Sequence, residues 1–191
     1  MNVTKQTLRE QHRYHTGAAI HEAAYRLVMT GGLAATSIDA IAREAGTSRR
    51  TLFNYYASKE HALLGLMNPT LPDSAAAAFT ASTESLLLRC VHLILSVYDT
   101  SVAAGSSKER RRQLFTAYPE THAKIEAYMG ELEQLVEPIV SSAYDARGAS
   151  TTLALQAAGV VLRYCNKTNV PMTDTSLKQV IETLHTITKG I

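Results

Sequence analysis

Residues 36–64 read TSIDAIAREAGTSRRTLFNYYASKEHALL. Apolar side chains recur in this stretch at the i, i+3, i+4 and i+7 spacing of one helical face, at Ile38, Ile41, Ala42 and Ala45. Gly46 follows them, and glycine is the residue that most readily ends a helix in a left-handed turn. The pattern therefore predicts a short helix that is capped at its start by Ser37 and closed by a tight turn.

A second short helix is predicted directly after this turn. Ser48 is placed to cap it, and Leu52 and Tyr56 fall on the side that can pack against the first helix. The outward-facing residues at its N-terminal end are Arg49, Arg50 and Thr51. A helix-turn-helix whose second helix is exposed and basic is typical of proteins that read DNA in the major groove.

Lys59 stands in the first turn of a third predicted helix, which Ser58 caps. The helix macrodipole favours acidic side chains in a first turn, so a lysine there is mildly unfavourable unless an anion lies nearby. A DNA phosphate docked at the N-terminus of the helix would be such an anion. We therefore expect Lys59 to contact a DNA phosphate.

The same stretch resembles the DNA-binding domain of the TetR family of bacterial transcriptional regulators. The matching segments are the Thr-Ser pair at 36–37, I-A-x-x-A-G-x-S at 41–48, T-L-[FY]-x-[YHF]-[FY] at 51–56 and the segment opened by Ser-Lys-Glu at 58–64. Thr47 departs from the valine that is usual in the family, and Phe53 departs from the commoner tyrosine.

The resemblance implies DNA contacts for the residues at matching positions. Base edges would be read by Arg49, Arg50, Thr51 and, through a thymine methyl group, Phe53. DNA phosphates would be held by Ser37, Tyr55 and Lys59. Each role has a plainer alternative, since an arginine pair is often just a solvated helix face and Tyr55 fits a half-buried core position equally well.

Helical periodicity and the absence of strand-like alternation predict an all-α protein of about nine helices. Two prolines within residues 68–73 interrupt any helix there. We therefore place a three-helix helix-turn-helix domain at 1–67 and a larger helical ligand-binding and dimerisation domain at 68–191. The first helix is expected from about Thr16 to Met29. The preceding arm, Lys5–Arg13, is basic, and the sequence leaves open whether it contacts DNA.

Charge and composition agree with a small regulator. The first 66 residues carry eight Lys/Arg against five acidic residues, whereas the whole chain has a net charge of +2. No apolar run reaches the ~20 residues of a membrane span, and no secretion signal is evident. We expect a cytoplasmic protein whose Cys90 and Cys165 are buried thiols. No metal site, cofactor motif or catalytic constellation is recognisable, so we do not expect an enzyme.

The last two predicted helices, at about 150–167 and 175–189, indicate how subunits could assemble. One is apolar nearly all round and the other has a single apolar stripe. In the TetR family two such helices from each subunit form a four-helix dimer interface, although a monomer core would also need apolar faces. The predicted interface residues are Leu153, Ala157, Val161, Leu177, Val180, Ile181, Leu184 and Ile187.

Family resemblance also implies a pocket in the C-terminal domain whose small-molecule effector lowers operator affinity. The candidate lining residues are Leu93, Val97, Tyr98, Phe115, Tyr118, His122, Tyr128, Met129 and Tyr164, which favour a mostly apolar organic ligand. The preferred interpretation is a homodimeric repressor that such a ligand releases from a palindromic operator on double-stranded DNA. Two alternatives stay open: an activator, or a regulator that answers to a protein partner. An enzyme is a remote third.

Overall fold

A computed structural model describes residues 8–143 and 148–189, and within these ranges the chain is entirely helical apart from turns and one isolated bridge between Leu66 and Val102. The predicted all-α class is confirmed, with ten α-helices in the described part of the chain and a 3-10 turn at Pro119–Thr121. The helices are α1 (Leu8–Gly31), α2 (Ile38–Glu44), α3 (Arg49–Tyr55), α4 (Lys59–Leu64), α5 (Ala75–Ala81), α6 (Leu86–Ser101), α7 (Lys108–Ala117), α8 (His122–Ala143), α9 (Gly148–Thr168) and α10 (Asp174–Thr188).

Helix α1 starts earlier than predicted, at Leu8 instead of Thr16. Residues 8–15 contain no glycine or proline, so a helix that is already nucleated extends through them more easily than it stops at Thr16. Arg13, which the sequence placed in a loose arm, is therefore helical, whereas Lys5 lies outside the described residues.

The chain packs as two compact units. The first contains the described residues up to Pro69 together with Ser101–Tyr128, and the second contains Thr70–Thr100 together with the described residues from Met129 onward. The predicted division at 67/68 differs from this partition, because it assigns residues 101–128 to the C-terminal domain. A boundary drawn along the chain cannot anticipate a later segment that packs back on the N-terminal helices.

Backbone hydrogen bonds attach this later segment to the end of α4. The Met67 N–H donates to the Ser101 carbonyl at 2.8 Å, and the Ala103 N–H donates to the Gly65 carbonyl at 2.9 Å. Gly65 itself has a φ of +71°, so it ends α4 in the left-handed region that glycine tolerates best. These hydrogen bonds consequently hold residues 65–68 in place within the first unit.

The core of the first unit lies between α1 and the helix-turn-helix. Ile20, Ile41, Leu52 and Tyr56 are fully buried there, together with smaller residues of α1, α2 and α4. The Tyr56 hydroxyl donates to the Gly17 carbonyl at 2.7 Å, which satisfies the one polar atom of its side chain. This core holds α3 with its opposite face towards solvent.

The second unit is built from α5, α9, α10 and most of α6 and α8. Its buried side chains include Ile94, Leu132, Val136, Ala158 and Leu177. Lys178 donates to Glu84 at 2.7 Å, and this contact ties α10 to the residues that precede α6. Within the described residues, no helix is long and apolar enough to cross a membrane.

Candidate nucleic-acid interface

Two serine caps and one glycine set the geometry of the helix-turn-helix. The Ser37 hydroxyl accepts from the Ala40 N–H at 3.1 Å, and the Ser48 hydroxyl accepts from the Thr51 N–H at 3.0 Å. Gly46 turns the chain between them with a φ of +64°. All three features were predicted from the sequence, because each depends only on neighbours within a few residues.

The N-terminal end of α3 presents two exposed arginines. Arg49 donates to Asp39 at 3.3 Å, and its guanidinium carbon lies 5.7 Å from the centre of the Phe53 ring. The side chains of Arg49 and Asp39 are both more than half exposed, so this ion pair is weak and easily exchanged for another partner. Arg50 is exposed beside them. The predicted base-reading residues Arg49, Arg50 and Phe53 thus share one accessible surface.

Thr51 is only half exposed, and its hydroxyl lies 2.8 Å from the Ser48 hydroxyl. This contact makes Thr51 part of the cap that starts α3. Its role in reading a base stays a prediction, and the cap contact is a role that the sequence interpretation did not include.

Tyr55, the predicted phosphate contact at the end of α3, is half-buried. The guanidinium carbon of Arg13 lies 5.8 Å from the centre of its ring. Asn68 donates its backbone N–H to the Tyr55 carbonyl at 2.7 Å and its side-chain amide to the Phe53 carbonyl at 3.0 Å. Asn68 was not predicted as a site residue, because it lies in the segment that the prolines mark as a linker.

Lys59 has partners inside the protein. Its ammonium donates to the Leu33 carbonyl at 2.8 Å and to the Thr36 carbonyl at 3.0 Å. These carbonyls resolve the unfavourable position that the sequence interpretation explained by a DNA phosphate. They are neutral, so the charge of Lys59 persists and its phosphate contact stays a prediction.

Two contacts join α1 to other helices of the first unit: a buried one to α4 and a charged one to α7. The His21 side chain is 1% exposed and its Nδ1 lies 2.8 Å from the Ala62 carbonyl. Burial lowers the pKa of His21 below its ordinary value, against the opposing effect of that carbonyl, so the ring is neutral near pH 7. Arg110 donates to Glu22 at 2.7 Å, and this hydrogen bond lowers the pKa of the Glu22 carboxyl.

The predicted effector-lining residues divide between the two units. Those in the first unit are Phe115, Tyr118, His122 and Tyr128, and those in the second are Leu93, Val97, Tyr98, Met129 and Tyr164. Leu93 and Val97 are core residues with at most 3% exposure.

Tyr128 is also buried, and its hydroxyl donates to the Met67 carbonyl at 2.9 Å. Phe115 and His122 stack on each other with ring centres 4.0 Å apart. A groove in the second unit contains none of the nine candidates; its lining is Glu84, Ser85, Leu88, Lys178, Ile181, Glu182 and His185.

Helices α9 and α10 divide the predicted site residues between buried and exposed positions. Val161, Leu177 and Ile181 are at most 6% exposed, so these three predicted interface residues belong to the core of their own chain. Tyr164 is 51% exposed and therefore lies on the surface instead of lining an interior pocket. The reason is that α9 is apolar nearly all round, and the sequence alone does not indicate which of its faces the chain covers itself.

The face of α9 that the chain leaves uncovered is also apolar. Leu153, Val160 and Tyr164 are at least 50% exposed, and with the half-exposed Ala157 they follow the spacing of one helical face. On α10, Ile187 is 68% exposed and shares a face with the half-buried Val180 and Leu184. We call these seven residues the α9–α10 stripe. Five of them were predicted as interface residues, and Val160 and Tyr164 were not.

Both cysteines are fully buried and neither forms a disulfide bond, and burial raises the pKa of Cys90 to about 11. Among the described residues, no group of three or more His, Cys, Asp or Glu side chains is arranged to hold a metal ion.

The fold and the exposed basic end of α3 define the class of the protein: it carries a helix-turn-helix of the DNA-binding kind. A family model described as "Bacterial regulatory proteins, tetR family" matches residues 20–64, the segment that contains these elements. This match covers the helix-turn-helix segment, so the similarity to the TetR family is established for that part of the chain.

One relative is similar to this chain over part of its length. The HTH-type transcriptional regulator EthR of Mycolicibacterium smegmatis is 32% identical over 94 residues, which cover 46% of this chain and 43% of that protein. The match thus spans less than half the length of that relative.

Two solved structures are also similar. A TetR family transcription regulator from Marinobacter aquaeolei VT8 is 22% identical, with coverage of 90% of this chain and 94% of the other and a TM-score of 0.34. NalD, the secondary repressor of the MexAB-OprM multidrug efflux pump in Pseudomonas aeruginosa, is 19% identical, with coverage of 92% and 96% and a TM-score of 0.38.

Proposed function

We propose that the protein is a homodimeric, sequence-specific DNA-binding repressor that a small, mostly apolar organic molecule releases from a palindromic operator. The observation that carries the DNA-binding part is the solvent-exposed pair Arg49 and Arg50 on a capped α3. An arginine at this end of a recognition helix can donate two hydrogen bonds to a guanine edge. The name of the M. smegmatis relative, a transcriptional regulator, agrees with this use.

The α9–α10 stripe supports the dimer. Four of its seven side chains, Leu153, Val160, Tyr164 and Ile187, are at least half exposed, and exposed apolar side chains along a helix face are typical of protein interaction sites. A second copy of the chain would cover them, and the resulting twofold dimer would carry two α3 helices. Two helix-turn-helix domains are expected, because a single one buries too little surface on DNA for tight binding. Such a dimer reads two inverted half-sites about one helical turn, ~34–36 Å, apart or a multiple of it.

Selection of duplexes from a random pool, followed by binding measurements, tests the DNA-binding function. We expect the full chain to enrich a palindrome, and Arg49→Ala or Arg50→Ala to reduce its preference by about 5- to 150-fold, the equivalent of one bidentate base contact. Arg112→Ala is the matched control, because Arg112 is an exposed arginine on α7, outside the helix-turn-helix. Failure of the wild-type chain to enrich any sequence would contradict the proposal.

The effector part has its own test. Small-molecule fractions of a metabolite extract are added to the complex of the protein with the selected duplex. Fluorescence anisotropy then follows the release of the duplex from the protein. An apolar organic fraction is expected to release the DNA through a coupling of about 1–3 kcal/mol between the two sites. Release by a protein fraction alone would favour regulation by a protein partner instead.

A further inference from the structure

Asn68 joins the C-terminal end of α3 to two other parts of the first unit. Its backbone N–H and its side-chain amide donate to the carbonyls of Tyr55 and Phe53, at 2.7 Å and 3.0 Å. Its own carbonyl accepts from the Arg13 guanidinium of α1 at 2.7 Å. The last carbonyls of a helix have no partners within the helix, so Asn68 supplies partners that α3 cannot supply itself.

These contacts matter because α3 is only seven residues long. A helix of this length is not stable in isolation, and its direction in space depends on what holds its two ends. Ser48 caps the N-terminal end, and Leu52 anchors the middle in the core. At the C-terminal end, the three hydrogen bonds of Asn68 perform this task.

The hydrogen bonds of Asn68 adjoin those that hold residues 65–67 in the first unit. Met67, the residue before Asn68, donates its N–H to the Ser101 carbonyl and accepts from the Tyr128 hydroxyl. The carbonyl end of α3 is therefore one residue away from backbone that is bonded to the end of α6 and to α8.

We propose that Asn68 is a positioning residue for sequence-specific DNA binding. It holds the C-terminal end of α3 against α1, and thereby sets the angle at which Arg49 and Arg50 meet the base edges. Bidentate hydrogen bonds tolerate only about 0.5 Å and 10–20° of misplacement, so loosening this end lowers base discrimination without removing any DNA contact. The inference rests on the proposed function.

The test compares the affinity of the full chain for the selected palindrome with its affinity for a scrambled duplex, at several salt concentrations. Asn68→Ala removes the hydrogen bond to Phe53, and we expect the ratio of the two affinities to fall about two- to tenfold. Affinity for the scrambled duplex and the salt dependence of binding should not change, because no phosphate contact is lost. Asn166→Ala is the control, an exposed asparagine on α9.

Asn68→Asp is the second variant, in case the alanine protein folds poorly. It keeps the shape and both backbone hydrogen bonds of Asn68 but cannot donate to Phe53. Its added charge weakens binding to both duplexes alike and cancels in the ratio, as does any loss of folded protein.

An unchanged ratio in both variants would overturn the inference. So would an equal loss on both duplexes with a flatter salt dependence, since that is the signature of a phosphate contact. A wild-type chain that selects no sequence would instead refute the proposed function itself.

Discussion

Val160 provides a direct test of the proposed dimer. It lies in the middle of the exposed face of α9 and is 50% exposed in the isolated chain. Fully burying a valine side chain contributes about 1.5–3 kcal/mol, so covering the remaining half contributes about 1 kcal/mol per subunit. A twofold interface contains the residue twice, which makes the contribution about 2 kcal/mol per dimer.

Val160→Glu removes this contribution and adds a carboxylate to the interface in both copies. An unpartnered polar group in such a place costs about 1–3 kcal/mol, and we count one at each copy. The total is at least about 4 kcal/mol, which corresponds to a roughly 10³-fold weaker dimer. Sedimentation velocity at micromolar concentration should therefore show a wild-type dimer and a monomeric variant with the same helix content.

Asn166→Glu is the matched control, because it introduces the same charge at an exposed position of α9 outside the stripe. It should leave the dimer intact. A wild-type chain that sediments as a monomer at micromolar concentration would refute the proposed assembly. A Val160→Glu variant that remains dimeric would show that a different surface mediates it.

Three further predictions follow from buried and half-buried groups. Since burial lowers the pKa of His21 and an unfolded histidine titrates near pH 6.5, the unfolded chain binds more protons below that pH, and stability should fall on acidification by up to ~1.4 kcal/mol per pH unit. Urea unfolding between about pH 5 and 7.5 measures this slope; His21→Asn should flatten it, and equal acid sensitivity in both proteins would refute the reasoning. Cys90 and Cys165 should be inert to a thiol reagent in the folded protein and react only in denaturant, so rapid labelling of native protein would contradict their burial. Lys59→Met should lower the free energy of unfolding by ~1–3 kcal/mol, because two backbone carbonyls lose their donor; unchanged stability with a flatter salt dependence of DNA binding would favour the phosphate role.

The helix-turn-helix was predictable because its determinants are local. Ser37, Gly46 and Ser48 act on backbone groups within three residues, and the apolar spacing of α2 is visible without any knowledge of the fold. The start of α1 was predicted wrongly by the same kind of reasoning, since a possible cap at Thr16 does not stop a helix whose preceding residues also favour it.

Contacts between residues far apart in sequence could not be predicted in this way. Lys59 reaches carbonyls more than twenty positions earlier, and Asn68 meets Arg13 across 55 positions. The sequence suggested other roles for both residues. Lys59 resembled a phosphate contact without a partner inside the protein, and Asn68 resembled part of a linker. Hydrogen-bond partners at such separations depend on how the helices pack.

The sequence by itself determined the helical class, the caps and turn of residues 36–64, and the exposed arginines at the start of α3, because these follow from short-range periodicity and backbone capping. The tertiary structure alone decided which apolar residues of α9 and α10 remain uncovered. Val160 is exposed and Val161 is buried although they are adjacent and identical in chemistry. A helix places neighbouring residues about 100° apart, and only packing against the rest of the chain selects which side becomes core.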